Sequence, residues 1–457
     1  MVLDELPLTV GGKLDVHALP APDRAAADEY RAPRDAIEEV LAGIYAQVLG
    51  RDRVGVDDSF FDLGGDSILS MQVVALAAAA GLRCRPRDIF AEHTVGRLAR
   101  VVQRTTCATT VVDAGVGSVP ATPIMRWLYD IGGPTCDFNQ TMVVQAPAGA
   151  TADDVVVLLQ GLLDHHGVLR ARLEADGTLT VPEPHTVDAR TCLHTVAAVT
   201  EAALVAARTE LDPPAGILVR AVFSGSTGRL GLVLHHLVVD AVSWRILLED
   251  LNIAWTQHRA GQIITLPDTG TSFATWATLL TEHATSPAVT AHTDTWRTVL
   301  ATPPALPTPD PHTDTYAHAG SFTTTLDPHT CTRLLTDVPA AFHTATTDIL
   351  LIALALAYTE FSATPHPIGI DVESHGRNDN LTPDLDLSRT VGWFTTTHPV
   401  ALDITNRPTW HHIRTGHPTL GPTIKHAKEQ LRTLPDPLTY GLLRHLHPQT
   451  PLTTPEP

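Results

Sequence analysis

The stretch LGLVLHHLVVDAVSWRILLEDL, residues 230–251, decides the reading of this chain. An apolar strand, VRAVF (219–223) and then LGLVL, ends in His235 and His236, where a side chain can emerge into a cleft. Asp240 follows four residues after His236 and can fix the turn through a salt bridge. An amphipathic helix, SWRILLEDLNIAW (243–255), starts at once. A histidine pair alone says little, because the chain has 24 histidines and three such pairs, at 165–166, 235–236 and 411–412. Metal binding is a poor reading: adjacent residues leaving a strand point to opposite faces, and the spacing is not H-E-x-x-H. The plainer alternative is a strand-end histidine satisfied by a backbone partner.

The chain has 457 residues, 44% of them hydrophobic, which is a globular composition. At ~150 residues per domain it holds about three domains. Its net charge of −19 argues against nucleic-acid and anionic-membrane partners. The segment MVLDELPLTVGGKLD (1–15) has acidic residues where a signal peptide needs basic ones. The longest apolar run, Ile349–Tyr358, falls short of the ~18 residues that span a bilayer, and reads as a buried helix or strand. Five cysteines form no C-x-x-C, so a disulfide scaffold or structural zinc is not expected and a cytoplasmic location is.

Residues 21–33, rich in Ala, Pro and charge, read as a linker. Ile37, Val40, Leu41, Ile44, Tyr45 and Val48 then recur at helical spacing. FFDLGGDSILSMQVV (60–74) reads as a glycine turn opening a second helix, and HTVGRLARVVQR (93–104) as a further helix closing a small bundle. Residues 105–118 read as a second linker. Beyond it, strand candidates (TMVVQA, RLGLVLHH, HPIGIDVES, TVGWFTTTHPV) alternate with helix candidates (ADDVVVLLQGLLDHH, TVAAVTEAALVAA, SWRILLEDLNIAW, FATWATLLTEH) in a mixed order, which predicts α+β layers. Residues 301–320 read as an exposed loop, and the tail from Pro448 as disordered.

An isolated GGDS is usually a helix-capping turn. In this bundle, however, FFDLGGDSILSMQVV resembles the peptidyl carrier domains of nonribosomal peptide synthetases. The resemblance covers residues 34–104 and implies that Ser67 carries 4′-phosphopantetheine, attached by a phosphopantetheinyl transferase. The Asp66 variant is typical of carriers that precede an epimerization domain. Residues 1–20 contain LPLTVGGKLDVHALP, similar to the last motif of an adenylation domain, with Lys13 as its lysine and Gly11 in place of Asn.

The 235–240 segment resembles the H-H-x-x-x-D motif of the condensation, epimerization and chloramphenicol-acetyltransferase-like superfamily. That implies a catalytic role for His236 and supporting roles for His235 and Asp240. Arg170, in HHGVLRARL (165–173), is the expected partner of Asp240. Four further matches resemble the epimerization branch: TPIMRWLYD (122–130), the Ser-Trp of DAVSW (240–244), ESHGR (373–377) and RTVGWF (389–394). They imply L-to-D inversion at Cα, with His236 serving one face and Glu373 the other. The alternative for Glu373 is an ion pair with Arg377, itself expected to support the site.

The resemblance therefore implies a multidomain chain. An all-α four-helix carrier bundle precedes an α+β, two-lobed, chloramphenicol-acetyltransferase-like domain over 119–457. The final F-N-Y-L-G motif of the family is missing, so the second lobe is expected to be incomplete. An adenylation domain upstream and a condensation domain downstream are the implied partners. Two rival readings are a condensation domain, against which the missing I-G-x-F-x-N stands, and a non-catalytic carrier and docking module.

Overall fold

The computed structural model describes residues 30–65, 67–84, 86–104, 115–133, 135, 137–306, 310, 312–362, 367–378, 381–382, 385–404, 408–449 and 452. The adenylation-like segment with Lys13, most of the first linker, Asp66 and residues 105–114 lie outside them. The chain divides into two compact units, 1–108 and 109–457.

The first unit is a helical bundle of α1 (Ala36–Val48), α2 (Ser67–Ala79), α3 (Pro86–Glu92) and α4 (Val95–Val101). Asp35 caps α1 by accepting from the amides of Ile37 and Glu38. Leu41, Tyr45, Phe60, Val73, Ile89 and Leu98 form its dry core. A small element goes beyond the helical reading: β1 (Leu82–Arg83) pairs antiparallel with β2 (Gln103–Arg104).

The second unit has two lobes. In the first lobe β3 (Gly117–Val119) leads into α5 (Pro123–Ile131), β4 (Asn139–Gln145) and α6 (Ala152–His165). Then come β5 (Arg172–Leu173), β6 (Leu179–Val181), β7 (Leu193–Thr195), α7 (Glu201–Arg208), β8 (Val219–Ser224) and β9 (Arg229–His235). Four helices follow: α8 (Ala241–Arg259), α9 (Phe273–His283), α10 (Pro287–Thr290) and α11 (Thr293–Leu300), the last packing through Trp296 against His398 and Tyr440. The main sheet runs β4-β9-β8-β7, antiparallel except for the parallel β7–β8 pair, and β3-β6-β5 form a smaller sheet. β8 and β9 are mostly apolar and, apart from Arg220 and Arg229, buried, because both faces are covered.

In the second lobe α12 (Pro328–Leu335), α13 (Asp337–Phe342) and α14 (Thr346–Ser362) precede the antiparallel pair β10 (Ile368–Ser374) and β11 (Thr396–Leu402). After β11 come α15 (Trp410–Arg414), α16 (Leu420–Arg432) and α17 (Pro437–Gly441). Ile352, Leu356, Ile368, Val400, Leu402 and Ala427 form the core of this lobe. Among the described residues no single helix is long and apolar enough to cross a membrane.

Four local expectations need correction. The helix expected over TVAAVTEAALVAA begins only at Glu201. Thr200 caps it, and Leu193–Thr195 is drawn into the sheet beside β8 instead. Gly117 and Ser118, read as linker, pair with β6. The strand expected over TVGWFTTTHPV begins only at Thr396, because side chains of Asp240 and Ser243 take the amides of Phe394 and Gly392 out of any ladder. In the tail, Leu452 is buried and its carbonyl accepts from Arg444 at 2.6 Å.

Candidate active site and carrier serine

The GGDS turn is built on a buried ring. Phe60 is fully buried against Tyr45, with ring centroids 4.8 Å apart, and Phe61 packs edge-on to it at 5.3 Å. Gly64 has φ +100°, and a Cβ on Gly65 would lie 2.4 Å from the Phe60 ring. Only glycine allows the chain to pass so close to Phe60 and open α2 at Ser67. Position 67 therefore sits at the amino end of a 13-residue helix with no acidic residue in its first turn. Such an end favours a phosphodiester anion, so the turn fits a phosphopantetheine attachment site.

His235 and His236 have opposite environments. His235 is fully buried: its Nε2–H donates to the Thr135 carbonyl at 2.7 Å, and Nδ1 accepts from the Leu237 amide at 3.2 Å. Burial pushes its pKa down to about 4, while the Thr135 hydrogen bond opposes this. His236 follows in a short 3₁₀ turn and is half-buried. Its ring stacks on Phe138 at 4.7 Å, 8° from parallel, and lies 4.8 Å from Trp393. Burial lowers its pKa, and the backbone of His236 and Val239 with the carboxylates of Asp240 and Glu373 pull it back up.

Asp240 caps α8 by accepting from the Ser243 amide at 2.7 Å. Its partner is Arg377, at 3.0 Å, and not Arg170. The same guanidinium donates to Ser243 Oγ (3.0 Å) and to the carbonyls of Leu387 (3.1 Å) and Thr390 (2.6 Å), and lies over the Phe394 ring at 4.0 Å. Asp240 also accepts from the Phe394 amide at 3.2 Å. One buried ion pair thus ties the turn after β9 to the end of β10 and to residues 387–394. Gly376 is required here: at φ +65° its Cβ would fall 1.7 Å from the Phe394 carbonyl oxygen.

Arg170 is buried elsewhere. It donates to the carbonyls of Leu163, Asp164 (3.0 Å) and Pro182 (3.1 Å), closing the carboxyl end of α6. The sequence reading failed because both arginines sit in motif-like contexts, and spacing does not reveal which one crosses to the histidine turn. The ion pair between Glu373 and Arg377 does not form, because Asp240 holds Arg377. Glu373 is exposed on β10, opposite Thr397, and its charge acts on His236.

Two contacts escaped the sequence reading. Gln140, opposite Leu234 in the β4–β9 register, bridges His236 and Trp244. Nothing at the sequence level marks this glutamine beyond a polar pair, Asn139 and Gln140, opening an apolar strand. The second is a buried network in which Asp250 holds both His166 (2.8 Å) and Arg389, whose other arm reaches Glu249 at 2.8 Å. His165 and His166 lie near Asp250 with metal-like spacing, but Arg389 already neutralises the carboxylate and His165 Nε2 is bonded to the Pro267 carbonyl at 2.8 Å.

The condensation domain family profile matches residues 126–447, and a phosphopantetheine attachment site profile matches residues 39–102. Chondramide synthase cmdD of Chondromyces crocatus is 39% identical over 97% of this chain and 12% of its own length. Tyrocidine synthase 1 of Brevibacillus parabrevis is 32% identical over 97% of this chain and 41% of its own. The chain spans less than half the length of either of these curated relatives. Among solved structures, the epimerization domain from the third module of tyrocidine synthetase B is similar with a TM-score of 0.64 and 28% identity, over 75% of this chain and 80% of that one. The chain belongs to the condensation domain family, in the carrier-plus-condensation arrangement of nonribosomal peptide synthetases. Its carrier unit takes covalent 4′-phosphopantetheine, and so implies a phosphopantetheinyl transferase.

Proposed function

We propose that the large domain inverts Cα, from L to D, of an aminoacyl or peptidyl group tethered through 4′-phosphopantetheine to Ser67. The thioester of that group acidifies the Cα–H bond by drawing charge onto its carbonyl oxygen. His236 and Glu373 act on the two faces. One, unprotonated, accepts the proton as the Cα–H electron pair moves toward the carbonyl, and the other, having first taken a proton from solvent, delivers it to the opposite face. Solvent then restores both residues.

The observation that carries this reading is the buried Asp240–Arg377 ion pair, which ties the end of the strand bearing exposed Glu373 to the turn bearing half-buried His236. The lowered pKa of His236 keeps its ring neutral at physiological pH, as a base requires. Glu373 lies in ESHGR, whose glycine is required beside the Phe394 carbonyl and whose arginine holds Asp240. The tyrocidine epimerization domain among the structural relatives supports the same branch. An upstream adenylation domain would load Ser67, a downstream condensation domain would consume the product, and a cytoplasmic location fits both.

The test loads Ser67 with a Cα-deuterated L-aminoacyl-pantetheine and follows deuterium washout by mass spectrometry. His236→Ala and Glu373→Gln should each slow washout by roughly 10²–10⁴-fold. Ser67→Ala should gain no mass from a pantetheinyl transferase. The family profile itself favours a second reading, peptide-bond formation between two carriers. Peptide formed with a second loaded carrier, without washout, would establish it. A folded protein giving neither result would be left with carrier docking.

A further inference from the structure

Nε2 of His236 lies 2.8 Å from the side-chain amide nitrogen of Gln140, and the Trp244 indole nitrogen lies 2.6 Å from the oxygen of the same amide. The direction of this chain of bonds is forced. An indole N–H can only donate, so the atom facing it must be the amide oxygen. The amide nitrogen left facing His236 can only donate in its turn. Nε2 of His236 therefore accepts, and the ring proton sits on Nδ1. A ring carrying a proton on Nε2 would set donor against donor across 2.8 Å. His235, one residue away, is fixed the other way, with its proton on Nε2 toward the Thr135 carbonyl.

We propose that Gln140, oriented by Trp244, is the positioning residue of His236: it selects the neutral Nδ1–H tautomer and holds the Nε2 lone pair until substrate displaces the amide. The inference rests on His236 as a proton-transfer group. Phe138 and Trp393 hold the plane of the ring, so its protonation is decided at its edge. With the amide in place, Nε2 is ready to accept a proton as soon as its partner leaves, without a prior rearrangement. Without it, the two neutral tautomers compete, with only the backbone of His236 and Val239 left to bias them. The titratable and charged groups acting on this ring are His235, Asp240 with its partner Arg377, and Glu373. Substitution at Gln140 or Trp244 leaves all of them in place.

The experiment uses the full chain with ¹⁵N-labelled imidazoles, His236 being assigned by loss of its signals in His236→Ala. The two ring-nitrogen shifts report the tautomer, and their titration reports the pKa. The expected wild-type state is Nδ1–H. Gln140→Leu should mix the tautomers and raise the titration midpoint by about one pH unit. Trp244→Phe should also mix them, although Gln140 is intact, because the amide is free to turn over. Gln140→Glu should raise the midpoint further, since a carboxylate favours the imidazolium. A wild-type ring protonated on Nε2, or a tautomer unchanged in both Gln140→Leu and Trp244→Phe, would overturn the inference. These signals need no substrate, so absent deuterium washout in the wild type would sink the epimerase reading alone.

Discussion

The two lobes of the large unit hold their shape by different means. In the first, Leu232, Val233, Leu237, Val238 and Val239 are all at most 2% exposed, and the two strands that lead into the histidine turn are covered on both faces. In the second, α12 and α13 bury no residue, the sheet has two strands among the described residues, and Leu350, Leu354 and Phe361 of α14 stand 51%, 52% and 88% exposed. The contrast shows where the site gets its rigidity. His235, His236, Gln140, Asp240 and Trp244 all belong to the densely packed lobe. Glu373 belongs to the sparser one, and what registers its strand against the histidine turn is the Asp240–Arg377 pair at the end of that strand.

Breaking that anchor should give the largest effect. In Asp240→Ala, Arg377 stays buried without a counter-charge, which costs about 3–5 kcal/mol. Urea unfolding should show this loss, and Cα-deuterium washout should fall with it. Asp240→Leu with Arg377→Met removes both charges and should recover much of the stability without the activity. A loss below about 1 kcal/mol in Asp240→Ala would mean that the lobes register by packing instead.

Each lobe also has one strongly depressed histidine, which allows a comparison by pH. Burial pushes His235 in the first lobe and His398 in the second down to about 4. In the unfolded chain both titrate near 6.5. Between these values the unfolded state binds more protons, so stability rises with pH there. It is fully present above about pH 6.5 and is lost as pH falls to about 4, by about 3 kcal/mol for each ring. His398→Phe should lower the slope of unfolding free energy against pH in this window by about one proton. An unchanged slope would mean that the second lobe already admits water to His398.

Arg170 is the control for Arg377. Both guanidiniums are buried, but Arg170 serves backbone carbonyls within the first lobe. Arg170→Met should cost about 1–3 kcal/mol through unpaired carbonyls and should leave the washout rate of the folded protein unchanged. A washout defect as large as that of Arg377→Met would return Arg170 to the site.

How far the site was legible follows from what fixes each part of it. The strand, turn and helix at 219–255 were readable because hydrophobic period is local, but the cap that Asp240 gives α8, which starts the helix at Ala241, was not read. The glycine of ESHGR was readable as a motif letter, but its cause, the Phe394 carbonyl oxygen 1.7 Å from where a Cβ would be, is a tertiary contact. The partner of Asp240 was misread because Arg170 and Arg377 differ only in where the fold sends them. Gln140 was invisible because its meaning comes from register: it faces the histidine turn only once β4 is paired with β9. The end of the strand before Thr396 was misjudged for a similar reason, since side chains from α8 and its cap claim the amides that strand propensity assigned to a sheet.

The smallest effect belongs to the exposed face of α14. Leu350→Ser with Leu354→Ser removes two half-exposed side chains, and should change unfolding free energy by no more than about 0.5 kcal/mol. Leu237→Ala, at a fully buried position behind the histidine turn, should cost about 2–5 kcal/mol. The pair of measurements compares the lobes directly, since all three substitutions start from leucine. If the α14 double variant cost as much as Leu237→Ala, the face would be covered in solution and the second lobe would be as densely packed as the first. If it cost nothing, Glu373 would owe its position to β10 and the Asp240–Arg377 pair, and washout in the double variant should stay at the wild-type rate.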